Sequence, residues 1–384
     1  METIKEYESF DDMGLDDDIL RGVYSNGFEK PSAIQSKGIV PIIKGHDCIS
    51  QSQSGTGKTG TFTIGALQKV DLKKGEHQVI ILSPTRELSY QIYNVITAFA
   101  KFTDINIETC IGGENLTECR NKLNNPERPV HVIVGTPGRI TDFLQRGHIN
   151  NKNLTTLILD EADECLSQGF KDQLYNIFQQ LPEDMQVVLF SATMPPEMLE
   201  LTEKFMRNPQ KILVNKEELT LEGIKQFYID CGDNRYKYDV LCDLYSAISI
   251  SQCIIYVNSR RQLEWLYHRL TENNFSVSYI HGQMTTQERY EFMREFRLGN
   301  TRILLSTDLL SRGIDIQQLS LVINYDLPLD FESYIHRIGR SGRHGRKGVA
   351  INFVSPRDMN KLTKLQEYYQ TQINELPTDF SKYM

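Results

Sequence analysis

Short runs of β-branched and aliphatic residues, separated by longer stretches of helical period, recur along this chain and constrain it more than any other feature. In the first half they occupy 46–50, 78–83, 106–111, 131–135, 155–160, 186–191 and 211–214. In the second half they occupy 224–230, 253–258, 276–281, 302–307, 320–325 and 349–354. Strand-length runs alternating with helix-length segments read as βαβ units, so the chain is predicted to be α/β, with parallel sheets covered by helices on both faces. The pattern restarts after Val214. Between the halves, 215–223 (NKEELTLEG) is polar, carries no strand signal and ends in glycine, which places a short linker there. At 384 residues the chain is too long for one ordinary core, and the expected domains are 1–214 and 224–384. The halves share architecture without sharing motifs, a duplicated topology and not a short repeat.

Charge narrows the partners. A net charge of -8 argues against coating nucleic acid by bulk positive field, although a local basic groove on an acidic protein still binds phosphates. Any nucleic-acid site must therefore be a placed set of residues. The cysteines form no C-x-x-C pair, so neither a zinc site nor a disulfide framework is expected. The start METIKEYESF lacks an apolar signal core, and no apolar run reaches membrane-spanning length. An intracellular, soluble chain with no membrane partner is expected.

The chemically loaded residues fall just after the strand runs, where open parallel sheets bind ligands. Two such sheets facing each other would place one ligand between them. After the first run comes Ser52-Gln53-Ser54-Gly55-Thr56-Gly57-Lys58-Thr59, followed by helix-compatible sequence. Glycines let backbone N–H groups approach phosphate oxygens, and the helix N-terminus adds a favourable dipole. Lys58 is expected to reach the β- and γ-phosphates and the Thr59 hydroxyl to ligate Mg²⁺. The general pattern has glycine where this chain has Ser52. The fifth run ends in Asp160-Glu161-Ala162-Asp163. Two carboxylates directly after an apolar strand are costly to bury without a cation, so Asp160 is expected to hold the magnesium ion and Glu161 to orient or deprotonate the attacking water. Acids at a helix N-terminus are commonly just stabilising; their order behind a phosphate loop favours the P-loop NTPase reading.

The remaining signals resemble, in order, the DEAD-box RNA helicases. Gly27-Phe28-Glu29-Lys30-Pro31-Ser32-Ala33-Ile34-Gln35 is similar to that family's Q motif, with Phe10 as its isolated upstream aromatic. By the resemblance Gln35 reads the adenine edge and Phe10 stacks on the ring, implying ATP over GTP; an amide can donate and accept at once, as adenine requires. Pro84-Thr85-Arg86-Glu87-Leu88, Gly112-Gly113 and Thr136-Pro137-Gly138-Arg139 resemble the RNA-facing motifs of the first lobe, making Pro84, Arg86, Gly113, Thr136 and Arg139 expected RNA contacts. Charged forks, hydroxyls and bare N–H groups suit a phosphodiester backbone and carry no base information. Ser191-Ala192-Thr193 resembles the motif that couples hydrolysis to unwinding. In the second half, His281-Gly282, Gln287-Glu288-Arg289, Ser306-Thr307-Asp308 and Ser311-Arg312-Gly313-Ile314-Asp315 resemble further motifs. They imply Gly282, Thr307 and Arg312 on RNA and Asp315 on a ribose hydroxyl. In the stretch Tyr334–Arg343 and just beyond it, arginines recur at 337, 340, 343 and 346, a spacing that would set them roughly on one helical face. The resemblance implies Arg340 and Arg343 as arginine fingers on the γ-phosphate.

The resemblance covers residues 10–377 and, through 218–228 (ELTLEGIKQFY), 241–245 (LCDLY), 321–328 (LVINYDLP), 345–354 (GRKGVAINFV) and 368–377 (YYQTQINELP), is strongest to the eukaryotic initiation factor 4A subfamily. It implies two tandem RecA-like parallel-sheet domains joined by a short flexible linker, ATP and Mg²⁺ as cofactors, and sequence-independent RNA binding. It also implies unwinding of messenger-RNA leaders during ribosome recruitment by a cytoplasmic monomer partnered by the helical-repeat scaffold of the cap-binding complex. Relatives of the same subfamily imply two alternatives, a nuclear ATP-locked RNA clamp and a ribosome-assembly helicase.

Overall fold

The computed structural model describes residues 4–52, 56–166, 170–194, 196–213, 224–247, 252–308, 319–339 and 348–377. The chain divides into two compact units, Met1–Leu219 and Thr220–Met384; the expected linker, 215–223, lies outside the described residues. In the first unit the order is α1 (Asp17–Ser25), α2 (Ala33–Ile43), β1 (Cys48–Gln51), α3 (Lys58–Gln68), β2 (Val79–Leu82), α4 (Arg86–Phe99), β3 (Ile107–Cys110), α5 (Leu116–Leu123), β4 (Val132–Gly135), α6 (Pro137–Gln145), β5 (Thr156–Leu159), α7 (Ala162–Leu166), α8 (Lys171–Gln180), β6 (Gln186–Ser191), α9 (Pro196–Phe205) and β7 (Gln210–Leu213). The second unit runs β8 (Ile224–Asp230), α10 (Lys237–Ala247), β9 (Cys253–Tyr256), α11 (Arg260–Glu272), β10 (Val277–Ile280), α12 (Thr286–Arg297), β11 (Ile303–Ser306), β12 (Leu321–Asn324), α13 (Phe331–Ile338), β13 (Gly348–Val354), α14 (Met359–Tyr369) and β14 (Asn374–Glu375).

Each unit holds a seven-stranded sheet, ordered β3-β4-β2-β5-β6-β1-β7 in the first and β10-β11-β9-β12-β13-β8-β14 in the second. Numbered within its own unit, each sheet reads third, fourth, second, fifth, sixth, first, seventh. Every pairing is parallel. The duplicated topology expected from the restart after Val214 is thus an identical strand order.

Burial on both faces explains why the strands read as continuous apolar runs. The central strands β2, β4, β5 and β6, like β9, β11, β12 and β13, are buried along their whole length. On β2, Ile81 enters a core with Phe62, Val188 and Phe190, while its neighbour Ile80 enters the opposite core with Phe143, Leu157 and Leu189. Each such side chain contributes ~1.5–3 kcal/mol by leaving water. Among the described residues only β14 lies outside the expected runs: it is a two-residue edge strand, exposed and polar, held on β8 by Leu376 N–H donating to the Tyr228 carbonyl at 2.9 Å.

The strand ends lead straight into helix starts, and the same residues cap them. Thr85 accepts from Leu88 N–H at 3.2 Å ahead of α4, and Pro137 opens α6 at its first position. Thr285 and Glu288 form a reciprocal capping box on α12, and Asp330 caps α13. Backbone N–H groups are therefore presented along the carboxyl edge of each sheet. Among the described residues no helix is long and apolar enough to cross a membrane.

Candidate functional site

The turn from β1 into α3 is shaped by glycines that admit nothing larger. Gly57 has φ +102°, and a Cβ there would come within 2.7 Å of Ser32 Oγ and 2.9 Å of Gln35 Nε2. At Gly60 a Cβ would meet Gln35 Nε2 at 2.7 Å and Phe28 Cε1 at 3.4 Å. Lys58 stands at the first position of α3 and is only 5% exposed. Its ammonium lies 3.5 Å from Glu161 Oε1 and, among the described residues, meets no hydrogen-bond acceptor. Ser52 Oγ is likewise buried with no partner among the described residues, and Thr59 follows Lys58, half-buried. Thr56 lies beside them; Gln53, Ser54 and Gly55 lie outside the described residues.

The acidic strand end reaches the same place. Asp160 N–H continues the sheet by donating to the Leu82 carbonyl at 2.9 Å, and Asp160 Oδ1 accepts from Glu161 N–H at 3.0 Å. Asp160 and Glu161 are each 3% exposed. Burial pushes the Asp160 carboxyl up to about 7, against the pull of the Lys58 ammonium. Glu161 has φ +48°, in the left-handed region that non-glycine residues enter at a cost. Asp163 is bonded to the sixth strand end: its Oδ2 accepts from the Thr193 hydroxyl at 2.7 Å, and its N–H donates to Ser191 Oγ at 3.3 Å. The acidic motif and Ser191–Thr193 are thus one hydrogen-bonded unit. A buried ammonium suits a phosphate, and the buried carboxyls Asp160 and Glu161 suit a hard divalent cation.

Gln35 is engaged by the protein itself. Its Oε1 accepts from Ser32 N–H at 2.8 Å, closing a capping box on α2, and its Nε2 donates to the Gly57 carbonyl at 3.3 Å. One N–H and one lone pair of the amide remain for a base edge. The upstream aromatic is a correction. Phe10 is fully buried in the first core, edge-on to Tyr24 with centroids 6.2 Å apart, so its ring has no face to offer a ligand. The aromatic beside Gln35 and α3 is Phe28, half-buried and edge-on to Phe99 at 5.1 Å. Gly27, with φ +81°, turns the chain immediately before it.

The RNA-facing motifs of the first unit converge on the loop after β3. Pro84 is buried at the end of β2, and Arg86, the first residue of α4, comes within 3.3 Å of where a Cβ on Gly112 would sit. Gly113 has φ +90°. Arg139 donates to the Glu114 carbonyl at 3.1 Å, and Thr136, buried, precedes α6. In the second unit Arg289 donates to the Gly282 carbonyl at 2.7 Å, and Thr307 follows β11, half-buried. Arg312, Asp315, Arg340, Arg343 and Arg346 lie outside the described residues. The expected arginine face does not exist at its first member: α13 ends at Ile338, and Arg337 is 0% exposed, bonded to Asp308, Asn258, Asn324 and the Asp326 carbonyl. The helix stops before the spacing can repeat, and Arg337 turns into the core.

Residues 32–201 match the DEAD/DEAH box helicase family, and residues 236–345 match the helicase conserved C-terminal domain. The chain is 53% identical over 370 residues to eukaryotic initiation factor 4A of Caenorhabditis elegans, covering 96% of this chain and 91% of that one. To the ATP-dependent RNA helicase FAL1 of Mycosarcoma maydis it is 52% identical over 376 residues, covering 98% and 94%. Among solved structures, Saccharomyces cerevisiae Dbp5 bound to RNA and ADP BeF3 matches with a TM-score of 0.89 at 38% identity, covering 97% of this chain and 96% of Dbp5. Identity of this extent over nearly the whole length, with both domains matched, places the protein in the DEAD-box family: it is an ATP-dependent RNA helicase of the eukaryotic initiation factor 4A subfamily.

Proposed function

We propose that the protein unwinds structured messenger-RNA leaders during translation initiation, acting in the cytoplasm as a monomer on the helical-repeat scaffold of the cap-binding complex. The subfamily supports this role. The single observation that carries the chemistry is the buried Lys58 ammonium, 3.5 Å from Glu161 and without an acceptor among the described residues. Lys58, Ser52 and the backbone of 53–57 grip the phosphates. Mg²⁺, when bound, neutralises charge on the transferring phosphoryl group, and the Thr59 hydroxyl and Asp160 are the residues to hold it. Glu161 takes the proton of the attacking water. Gln35 reads the adenine edge with its remaining N–H and lone pair. Asp315 takes a ribose hydroxyl, and Arg340 and Arg343 meet the γ-phosphate. Pro84, Arg86, Gly113, Thr136 and Arg139, with Gly282, Thr307 and Arg312, hold the RNA backbone without reading bases. Domains of 1–214 and 224–384 with a hinge at 215–223 go with this reading.

Phe28 replaces Phe10 as the ring that stacks on adenine. Base–aromatic stacking contributes ~1–3 kcal/mol, so Phe28→Ala is expected to weaken ATP binding about five- to a hundredfold in a fluorescent-nucleotide titration. Phe10→Leu is expected to lower the melting temperature and leave ATP affinity unchanged. The reverse pattern would return the stacking role to Phe10.

A second reading stays in view because FAL1 matches almost as closely as the initiation factor: a nuclear ATP-locked RNA clamp or a ribosome-assembly helicase. Affinity purification from the source cell separates them. Co-purified cap-binding factors support initiation; splicing-deposited or pre-ribosomal proteins in their place overturn it.

A further inference from the structure

Arg337 projects from α13 into the interior of the second unit, and every one of its five N–H donors is matched. Nε and Nη2 fork onto the Asp308 carboxylate at 2.5 and 2.9 Å. Nη2 also donates to Asn258 Oδ1 at 2.8 Å, and Nη1 donates to the Asp326 carbonyl at 2.7 Å and Asn324 Oδ1 at 3.3 Å. Its partners sit at the carboxyl ends of β11, β9 and β12, which are adjacent in the sheet. The set is braced from behind: Asp326 accepts from Asn258 N–H at 3.1 Å and from Lys237 at 3.3 Å, and Asn324 donates to Asn352 at 2.8 Å. One side chain therefore staples three strand ends to one helix.

Stability alone does not call for this arrangement. Desolvating a guanidinium is costly, and apolar residues of similar volume commonly serve a core as well or better. What an arginine fork supplies and an apolar chain does not is a fixed angle and distance to each partner. The two ends of the fork lie next to residues with assigned work. Asp308 directly follows Thr307, and Arg337 stands three residues before Arg340.

We infer that Arg337 is a positioning residue: through Asp308 it fixes the strand end bearing Thr307 against the start of the segment bearing Arg340 and Arg343, so that RNA held at the first sets the arginines at the second. This rests on the roles proposed above for Thr307, Arg340 and Arg343. Arg337→Lys keeps the charge and loses the fork; Asp308→Asn keeps the shape and loses the charge. A misplacement of about 1 Å costs up to about a hundredfold in rate.

The test measures ATP hydrolysis against RNA concentration with the full chain, alongside melting curves and separate ATP and RNA titrations. In Arg337→Lys the rate at saturating RNA is expected to fall about ten- to a hundredfold while both affinities stay within about twofold of wild type. Asp308→Asn is expected to fall in the same way, and the double variant no further than the worse single one, because both break one link. A wild-type saturated rate in Arg337→Lys, additive losses in the double variant, or a loss accounted for by unfolding overturns the inference. Two controls isolate the underlying reading. If RNA fails to stimulate the wild type, or if Arg343→Ala keeps full stimulation, the functional assignment falls and this inference with it. If both controls behave and Arg337→Lys does not, the inference alone falls.

Discussion

Glu161→Gln is expected to slow RNA-stimulated ATP turnover about a thousandfold, with ATP and RNA still binding together. The substitution preserves volume and removes the negative charge, so it separates proton transfer from packing. A positioned general base contributes about 10²–10⁴ in rate, and nothing in the substituted amide can accept the proton of water. The geometry explains why the loss should be clean. Glu161 sits at φ +48° yet is fixed on both sides, by its N–H on Asp160 Oδ1 and by its carbonyl accepting from Glu164 and Cys165 at 3.0 and 3.1 Å. Strain held this firmly keeps the side chain aimed at the Lys58 end of the sheet. Replacing the carboxylate also relieves Lys58 of an electrostatic partner, so ATP affinity should be unchanged or tighter. Phosphate release under saturating ATP and RNA measures the first half, and co-binding of labelled ATP and RNA the second. Turnover within tenfold of wild type would remove Glu161 from the reaction.

How much of this was legible beforehand follows from what each signal depends on. Central strands buried on both faces leave no room for polar alternation, so runs such as Val79–Leu82 and Ile303–Ser306 announce themselves in any window. The exposed edge strand Asn374–Glu375 has no such signature, because its pairing is backbone-only. Lys58, Asp160 and Glu161 were found because each follows a strand, and parallel sheets bring their strand ends together. Phe10 and Phe28 could not be ranked from sequence. Both are aromatics near Gln35, and only the packing of α1 and α4 decides which ring is swallowed by the core. Arg337 failed for a different reason. Periodicity assumes that a helix continues, and this one stops at Ile338, so charge spacing said nothing about which arginine turned inward. Gln35 lies between these cases: its capping of α2 is written in Ser32-x-x-Gln35, whereas its bond to the Gly57 carbonyl is a tertiary contact that no local pattern encodes.

Lys58→Met is expected to lower ATP affinity about a hundredfold or more without unfolding the first unit. A charge-assisted hydrogen bond is worth about 1.5–3 kcal/mol, and an ammonium shared between two phosphates forfeits at least two of them. Methionine keeps the length and flexibility of the buried stem, so the core around Phe62 and α3 should not open. The loss of the ammonium from beside Asp160 would ordinarily strand a buried charge. Here that penalty has an outlet, since burial already raises the Asp160 carboxyl to about 7 and Lys58 is the strongest of the influences pulling it down, ahead of the Glu161 N–H; without Lys58 the carboxyl takes up a proton more readily instead of destabilising the fold. The variant should therefore melt close to wild type while nucleotide titration shows the loss, the opposite of Glu161→Gln, which binds and does not turn over. An ATP affinity within about threefold of wild type would mean that the phosphates are held elsewhere, because a shift that small is less than one charge-assisted bond supplies.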